Sequence, residues 1–176
     1  MANLKEIRNR ITSVSSTMQI TSAMKMVSAA KLKKAQDAIT AMRPYASTLT
    51  ELIQNLSGAL EGDAQNPYTE VREKKAVLIV AITSNRGLCG AFNANIIKKT
   101  RQLMTENYAN QKVSLLTVGK KGSEILAKTN QVVSSHDVLF DELTFSKASE
   151  VAQQVMDQFE EKAYDEVVLV YNRFKN

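Results

Sequence analysis

The amino-acid sequence predicts an α/β protein: a long N-terminal coiled-coil helix followed by an open, mostly parallel α/β domain. Two observations support this fold class. Apolar residues recur at alternating steps of three and four from Leu4 to Leu56, and short apolar runs alternate with helical segments from Ala76 onward. The first pattern is typical of a coiled coil, and the second of buried parallel strands joined by helices.

The N-terminal pattern defines a row of sixteen positions, which we name the seam. The seam consists of Leu4, Ile7, Ile11, Val14, Met18, Thr21, Lys25, Ser28, Leu32, Ala35, Ile39, Met42, Ala46, Leu49, Ile53 and Leu56. Thirteen of the sixteen are Leu, Ile, Val, Met or Ala, and no Gly occurs before Gly58. A 3.5-residue repeat of this length predicts one helix of about 80 Å that pairs with another helix along the seam.

Two features interrupt the seam. Pro44 removes the hydrogen bond that its N–H would give to Thr40, so we expect a bend or a short break there. The middle of the seam is polar at Thr21, Lys25 and Ser28, while neighbouring apolar side chains point in other directions; these are Ile20, Met24, Met26 and Val27. We expect a change of partner helix at this level, contact with another protein, or a local packing adjustment.

The remaining elements follow in order. Ser57-Gly58 is expected to end the helix, and a polar linker containing Gly62, Asp63, Asn66 and Pro67 then runs to about Lys75. Strands are predicted at 76–83, 113–118, 132–133 and 166–171. Helices are predicted from about Ala91 to Tyr108, through Lys128, and from a cap at Ser146 to about Lys162. The result is a Rossmann-like sheet with right-handed crossovers and helices on both faces, giving a helix (1–57), a linker (58–75) and an α/β domain (76–176).

Charge and composition narrow the class of protein. Residues 1–57 carry eight Lys and Arg against three acids, whereas residues 58–176 carry fifteen of each, so the net charge of +5 lies on the helix. It is densest at Lys31, Lys33 and Lys34, which predicts either a solvated face or an acidic partner. No run of eighteen apolar residues and no signal peptide is seen. The single Cys suits a reducing compartment, so we expect an intracellular, bacterial protein.

The loop from Ser84 to Gly90 lies where α/β sheets bind phosphates, but its motif is incomplete. It has only Gly87 and Gly90, and no Lys follows Gly90, so neither the dinucleotide nor the Walker fingerprint is present. We interpret it as a structural or protein-contacting loop.

No catalytic or metal constellation is evident either. Cys89 could be nucleophilic at a helix N-terminus, but His136 is the only possible imidazole base and nothing places it nearby. One Cys and one His cannot close a metal site. The adjacent carboxylates are interpreted as solvated; they are Asp141 with Glu142, and Glu160 with Glu161.

Three stretches together resemble a known family. They resemble, in the same order along the chain, signatures of the γ subunit of bacterial F-type ATP synthases. The stretches are residues 20–32 (ITSAMKMVSAAKL) with Arg43-Pro44-Tyr45, residues 84–93 (SNRGLCGAFN) and residues 171–174 (YNRF). The resemblance implies a central rotor shaft that carries no active site and no cofactor. Proton flow turns it inside a ring of three α and three β subunits, and ATP is made or split on the β subunits.

The resemblance also implies partners and contact residues. Expected partners are the α and β subunits, the ε subunit, the membrane c-ring and the chain's own C-terminal helix; nucleic acid is not among them. The implied location is peripheral, on the cytoplasmic side of the bacterial cell membrane. Residues implied to face the β-subunit levers are Met24, Lys25, Val27, Lys31, Lys33 and Lys34. The loop implied to lean toward β, similar to a short helix of the family, comprises Arg86, Gly87, Leu88, Cys89 and Gly90.

One departure and one rival interpretation accompany the resemblance. The family's chain continues for roughly a hundred residues to a second long helix, so this sequence is expected to be a fragment lacking that helix. The rival is a non-catalytic α/β module whose basic helix binds nucleic acid or an anionic membrane surface. Against it, the helix shows no aromatic interleaving and its apolar stripe is a narrow seam.

Overall fold

The structure, a computed structural model, describes residues 3–59, 67–68, 70 and 72–175, with only the backbone given for 57–59. Its contacts divide the chain into two compact units, Met1–Ala64 and Gln65–Asn176. Within the described residues, no helix is both long and apolar enough to cross a membrane.

The first unit is one long helix. Helix α1 (Leu4–Ala59) is 56 residues long, which confirms the long N-terminal helix and corresponds to about 84 Å at about 1.5 Å per residue. The bend expected at Pro44 stays a prediction, but the short break expected there is wrong. The helix passes through Pro44 as one element, because a proline removes only one bond from a ladder that continues on both sides. It also continues past Ser57-Gly58, since Gly costs an established helix only about 1 kcal/mol relative to Ala. Of the predicted linker markers, Gly62, Asp63 and Asn66 lie outside the described residues.

The second unit alternates strands and helices. The strands are β1 (Ala76–Ile82), β2 (Lys112–Val118), β3 (Val132–His136) and β4 (Glu166–Val170). The helices are α2 (Phe92–Gln102), α3 (Lys120–Leu126) and α4 (Phe145–Glu160). All strand pairs are parallel, and the order across the sheet is β3-β2-β1-β4. This confirms the predicted parallel α/β fold, with the most buried strands, β1 and β2, at its centre.

Alternate side chains along the strands lie on opposite faces of the sheet and form two apolar layers. On one face, Val77, Ile79 and Leu115 pack with Ile96 and Ile97 of α2 and with Leu126 of α3. On the other face, Leu78, Val80 and Leu116 pack with Val151 and Val155 of α4. Helices therefore cover both faces, as the near-continuous apolar strands predict.

Two helix boundaries differ from the prediction. The expected cap at Ser146 is wrong: α4 begins at Phe145, and the N-cap is Thr144, whose Oγ1 accepts from the Lys147 N–H at 3.4 Å. Thr144 has the extended backbone that an N-cap requires, whereas Ser146 is already helical.

The helix predicted to reach Tyr108 is α-helical only to Gln102 and continues as a π-helical turn, Leu103–Asn107. Thr105 Oγ1 donates to the carbonyls of Arg101 and Gln102, at 3.1 and 3.3 Å. These are carbonyls that α-helical N–H groups would otherwise use, which favours the wider turn.

Candidate functional site

The six predicted contact residues of α1 do not share one face. At about 100° per residue, the steps of three and four that join Met24, Val27, Lys31 and Lys34 place these four side chains in one row. We name these four the contact row. Lys25 lies on the seam, and Lys33 is about 180° from Met24, on the opposite side of the helix. All six side chains are exposed; Met24 is 64% and Val27 56% exposed.

The polar interruption of the seam is partly satisfied inside the helix. Thr21 Oγ1 donates to the Thr17 carbonyl at 2.8 Å, the same bond to the preceding turn that Thr17 makes to Ser13 at 2.9 Å. A hydroxyl bonded in this way leaves the threonine methyl group to contact a partner. The long polar side chain of this part of the seam is therefore that of Lys25.

The loop between β1 and α2 is held from within by one side chain. Asn93, in the first turn of α2, accepts the Ser84 N–H at 2.9 Å and donates to the Arg86 carbonyl at 3.3 Å and to Cys89 Sγ at 3.2 Å. Ser84 Oγ also donates to the Arg86 carbonyl, at 2.6 Å. The stretch is a loop rather than the short helix that the family resemblance implied.

These bonds present the loop tip to solvent. Leu88 has a left-handed backbone, with φ of 58°, which is uncommon for a residue other than glycine. Its side chain is fully exposed. This apolar side chain therefore lies outside the core of the domain.

The position that a phosphate would take at the start of α3 is filled by the chain itself. The first N–H groups of α3 have partners on the segment after β1. Lys120 donates to Asn85 Oδ1 at 3.0 Å, Lys121 to the Ser84 carbonyl at 3.1 Å, and Gly122 to Thr83 Oγ1 at 2.8 Å. Because these donors are satisfied within the chain, they do not form an anion site at the start of α3.

Cys89 and His136 have separate partners. Cys89 is exposed and lies within 4.0 Å of hydrogen-bonding atoms of Ser84, Arg86 and Asn93. His136 Nε2 is 3.1 Å from Ser134 Oγ and 3.1 Å from Gln154 Oε1. The two sets share no residue, and the bonds given for Cys89 and for His136 do not join the thiol to the imidazole.

Carboxylates and metal ligands are likewise dispersed. Asp141, Glu142, Glu160 and Glu161 are exposed. Glu142 pairs with Lys147, and Glu160 accepts a bond from Tyr68 at 3.3 Å. Over the described part of the chain, no three His, Cys, Asp or Glu side chains converge on a point that could hold a metal ion.

The helices on the two faces of the sheet differ in charge. Helix α2 carries Lys98, Lys99 and Arg101 with no acid, and the neighbouring α3 is also net basic. Helix α4, on the other face of the sheet, carries Glu150, Asp157 and Glu160 against a single Lys147. Sequence reasoning missed this difference in charge, because it did not assign each predicted helix to a face of the sheet.

Comparison with known proteins places the chain in a family. A sequence profile of the ATP synthase family matches residues 3–176. The ATP synthase gamma chains of Flavobacterium johnsoniae and Flavobacterium psychrophilum are 62% and 61% identical over 176 residues, covering all of this chain and 61% of each relative. That of Cytophaga hutchinsonii is 48% identical over 181 residues. The chain thus spans about 61% of the length of these curated relatives.

Solved structures agree with this assignment. A central stalk and c-ring structure of the Tetrahymena thermophila mitochondrial ATP synthase superposes with a TM-score of 0.69 at 32% identity, covering 89% of this chain and 66% of that one. The rotor of the Euglena gracilis mitochondrial ATP synthase shares the fold, with a TM-score of 0.56 at 22% identity. These matches confirm the resemblance seen in residues 20–32, 84–93 and 171–174: the chain belongs to the ATP synthase gamma chain family.

Proposed function

We propose that the chain serves in the central rotor shaft, the γ subunit, of an F-type ATP synthase. In this role it couples proton flow through the membrane sector to ATP synthesis or hydrolysis on the β subunits, and is itself non-catalytic and without a cofactor. The observation that carries the proposal is the 56-residue helix, whose apolar seam is exposed in this chain. The chain is also similar to a central-stalk structure. A long helix with an apolar stripe is built to pair with another helix.

The partners follow from the same proposal. The α and β subunits would surround the N-terminal helix α1, while the ε subunit and the c-ring would bind the α/β domain, residues 76–176, beyond the segment between α1 and β1. The seam would pair with the C-terminal helix of the full-length subunit. The complex would sit peripherally on the cytoplasmic side of the bacterial cell membrane. The family name and the stalk and c-ring structure support this arrangement.

Contact with β would use two surfaces. The first is the contact row of α1 together with Lys25 and Lys33, offered to acidic levers. The second is the loop of Arg86, Gly87, Leu88, Cys89 and Gly90, with the exposed Leu88 as its apolar tip. Exposed charge pairs contribute about 1 kcal/mol or less each, so the cations would act together and no single Lys would be essential.

The test compares substitutions around α1 in the full-length subunit within the assembled complex. Met24→Lys puts a cation where the proposed native contact is apolar and excludes water, so its pair with an acidic lever would be stronger than the exposed lysine pairs. A new pair of about 2–3 kcal/mol at one angular position would slow rotation by about 30- to 150-fold. Met26→Lys is the matched control for the contact row, because Met26 is similarly exposed, 67% against 64%, but lies about 200° from Met24, on the Lys33 side of the helix where only a weak contact is proposed. Lys33→Ala removes one weak contact. The measurement is the number of protons pumped per ATP hydrolysed.

We expect Met24→Lys to reduce this ratio more than either control while assembly stays intact. Equal ratios in all three variants, or loss of assembly with Met24→Lys, would contradict the assignment of the contact row. The rival function, a basic helix that binds nucleic acid or anionic membrane, predicts salt-dependent binding to DNA or to vesicles in place of binding to α and β subunits. Among the described residues of α1, Tyr45 is the only aromatic, which disfavours that rival.

A further inference from the structure

Arg72, four residues beyond the turn at Pro67-Tyr68, is held against the end of α4. Its guanidinium Nη1 donates to the Phe159 carbonyl at 2.8 Å, its Cζ lies 4.5 Å from the centroid of the Phe159 ring, and its side chain is only 8% exposed. Helix α4 has no basic residue in its own last turn. Arg72 therefore supplies, from a distant part of the sequence, the cation that the negative end of the helix dipole favours.

Two more residues of the same segment contact the same end of α4. The Tyr68 ring stacks on Phe159 with centroids 6.2 Å apart, and the Tyr68 hydroxyl donates to Glu160 at 3.3 Å. Glu70 lies between two cations, 2.9 Å from Arg72 and 3.5 Å from Lys162. The hydrogen bond from Arg72 lowers the pKa of Glu70, because it stabilises the charged carboxylate.

The segment is held a third time where it enters β1. Asp165 Oδ2 accepts the N–H groups of Lys75 and Ala76 at 3.0 and 2.8 Å, and the Asp165 N–H donates to the Ala76 carbonyl at 2.8 Å. These two backbone donors lower the pKa of Asp165. Lys74 adds an ion pair to Glu166 at 2.8 Å.

We propose that these contacts form a clasp, in which Tyr68, Glu70, Arg72 and residues 74–76 hold residues 159–166. The clasp carries force from the chain preceding β1 into α4 and β4. β1 and β4 are parallel neighbours, so both strands start at the same end of the sheet, and the clasp lies at that end. Without the clasp, tension along the segment would act on the first residues of β1 alone. With it, the same tension is shared with the turn that joins α4 to β4. Its role in a turning shaft rests on the proposed function, whereas its mechanical strength does not.

The clasp can be measured on the chain alone by single-molecule pulling. Handles are attached through Asn3→Cys and Lys175→Cys in a Cys89→Ser background, so that force passes along α1 into the segment before β1. We expect the wild-type clasp to stay closed until the α/β domain unfolds. Arg72→Ala should add an earlier release of residues 67–75, a lengthening of at most about 30 Å at ~3.4 Å per residue. Arg101→Ala, an exposed arginine of α2, is the matched control and should give wild-type traces.

Phe159→Leu provides a second variant, because it keeps an apolar side chain but removes the ring that both Tyr68 and Arg72 stack on. It should also show the early release, with circular dichroism confirming that the domain is folded. Wild-type traces from both clasp variants, or an early release in the wild type itself, would overturn the clasp. Arg72→Ala is also tested in the assembled complex. If this variant shows early release but pumps as many protons per ATP as wild type, the clasp has no role in the rotor, while the proposed rotor function of the chain is unaffected.

Discussion

Replacing Gly119 by alanine tests how the carboxyl edge of the sheet is built. A Cβ at this position would lie 2.2 Å from the Thr83 carbonyl oxygen and 2.8 Å from its carbon, and the backbone φ of 99° disfavours any L side chain. The left-handed backbone costs about 1–2 kcal/mol. Relieving the clash means moving the end of β1, which endangers two bonds: Thr83 N–H to Val118 O at 2.8 Å, and Gly122 N–H to Thr83 Oγ1 at 2.8 Å.

With about 1 kcal/mol for each endangered bond, Gly119→Ala should lower the free energy of unfolding by about 3–4 kcal/mol. That is a large share of the roughly 5–15 kcal/mol that stabilises a typical domain. Two other glycines of the same edge form a graded control. Gly90 has a φ of 58° but open space around it, so Gly90→Ala should cost about 1–2 kcal/mol. Gly87 has open space and no left-handed backbone, so Gly87→Ala should change stability by no more than about 0.5 kcal/mol.

The assay is urea unfolding followed by tyrosine fluorescence. The chain has no Trp, and four of its five Tyr belong to the α/β unit, so this signal reports on that unit rather than on α1. The expected order of destabilisation is Gly119, then Gly90, then Gly87. A loss below about 1 kcal/mol for Gly119→Ala, or equal losses for all three, would refute the close packing of β1 against the start of α3.

Two further predictions concern capping and pH. Thr144→Ala removes the N-cap of α4 and should cost about 1 kcal/mol in urea unfolding, whereas Ser146→Ala should be nearly neutral; the reverse order would restore the cap expected from sequence. Asp165 has a folded-state pKa below its ordinary value of 3.8, so the stability that its charged form contributes is complete above about pH 5 and is lost as the pH falls below 4. The difference in the free energy of unfolding between wild type and Asp165→Asn is measured from pH 7 to pH 3. It should be constant above pH 5 and shrink below pH 4. A difference that already shrinks between pH 7 and pH 5 would contradict the assignment of this stability to the Asp165 carboxylate.

Sequence reasoning was strongest where one physical pattern repeats. The seam from Leu4 to Leu56 and the apolar runs of β1 and β2 predict their elements, because burial imposes a fixed period on each. It was weaker at single residues. Thr144 and Ser146 are both good caps in isolation, and only the backbone at the start of α4 decides between them.

Contacts between distant side chains could not be predicted. Arg72 and Phe159 are 87 positions apart, and nothing in either local sequence indicates that they stack. The role of Asn93 was similarly hidden. Its motif resembles a family signature, but only the structure shows one amide holding Ser84, Arg86 and Cys89 together. The contact row was proposed as part of a larger set, and helix geometry then separated Lys33 from Met24 by about half a turn.

The central proposal, that this chain turns inside a catalytic head, is tested most directly by watching it turn. The full-length subunit would carry an optical probe on Lys128→Cys, an exposed position after α3 that belongs to neither proposed set of β contacts, in a Cys89→Ser background. The α and β subunits of the complex would be fixed to a surface and supplied with ATP. The proposal predicts rotation in one direction with three dwell positions per turn. ATP hydrolysis with a stationary or randomly fluctuating probe would contradict it.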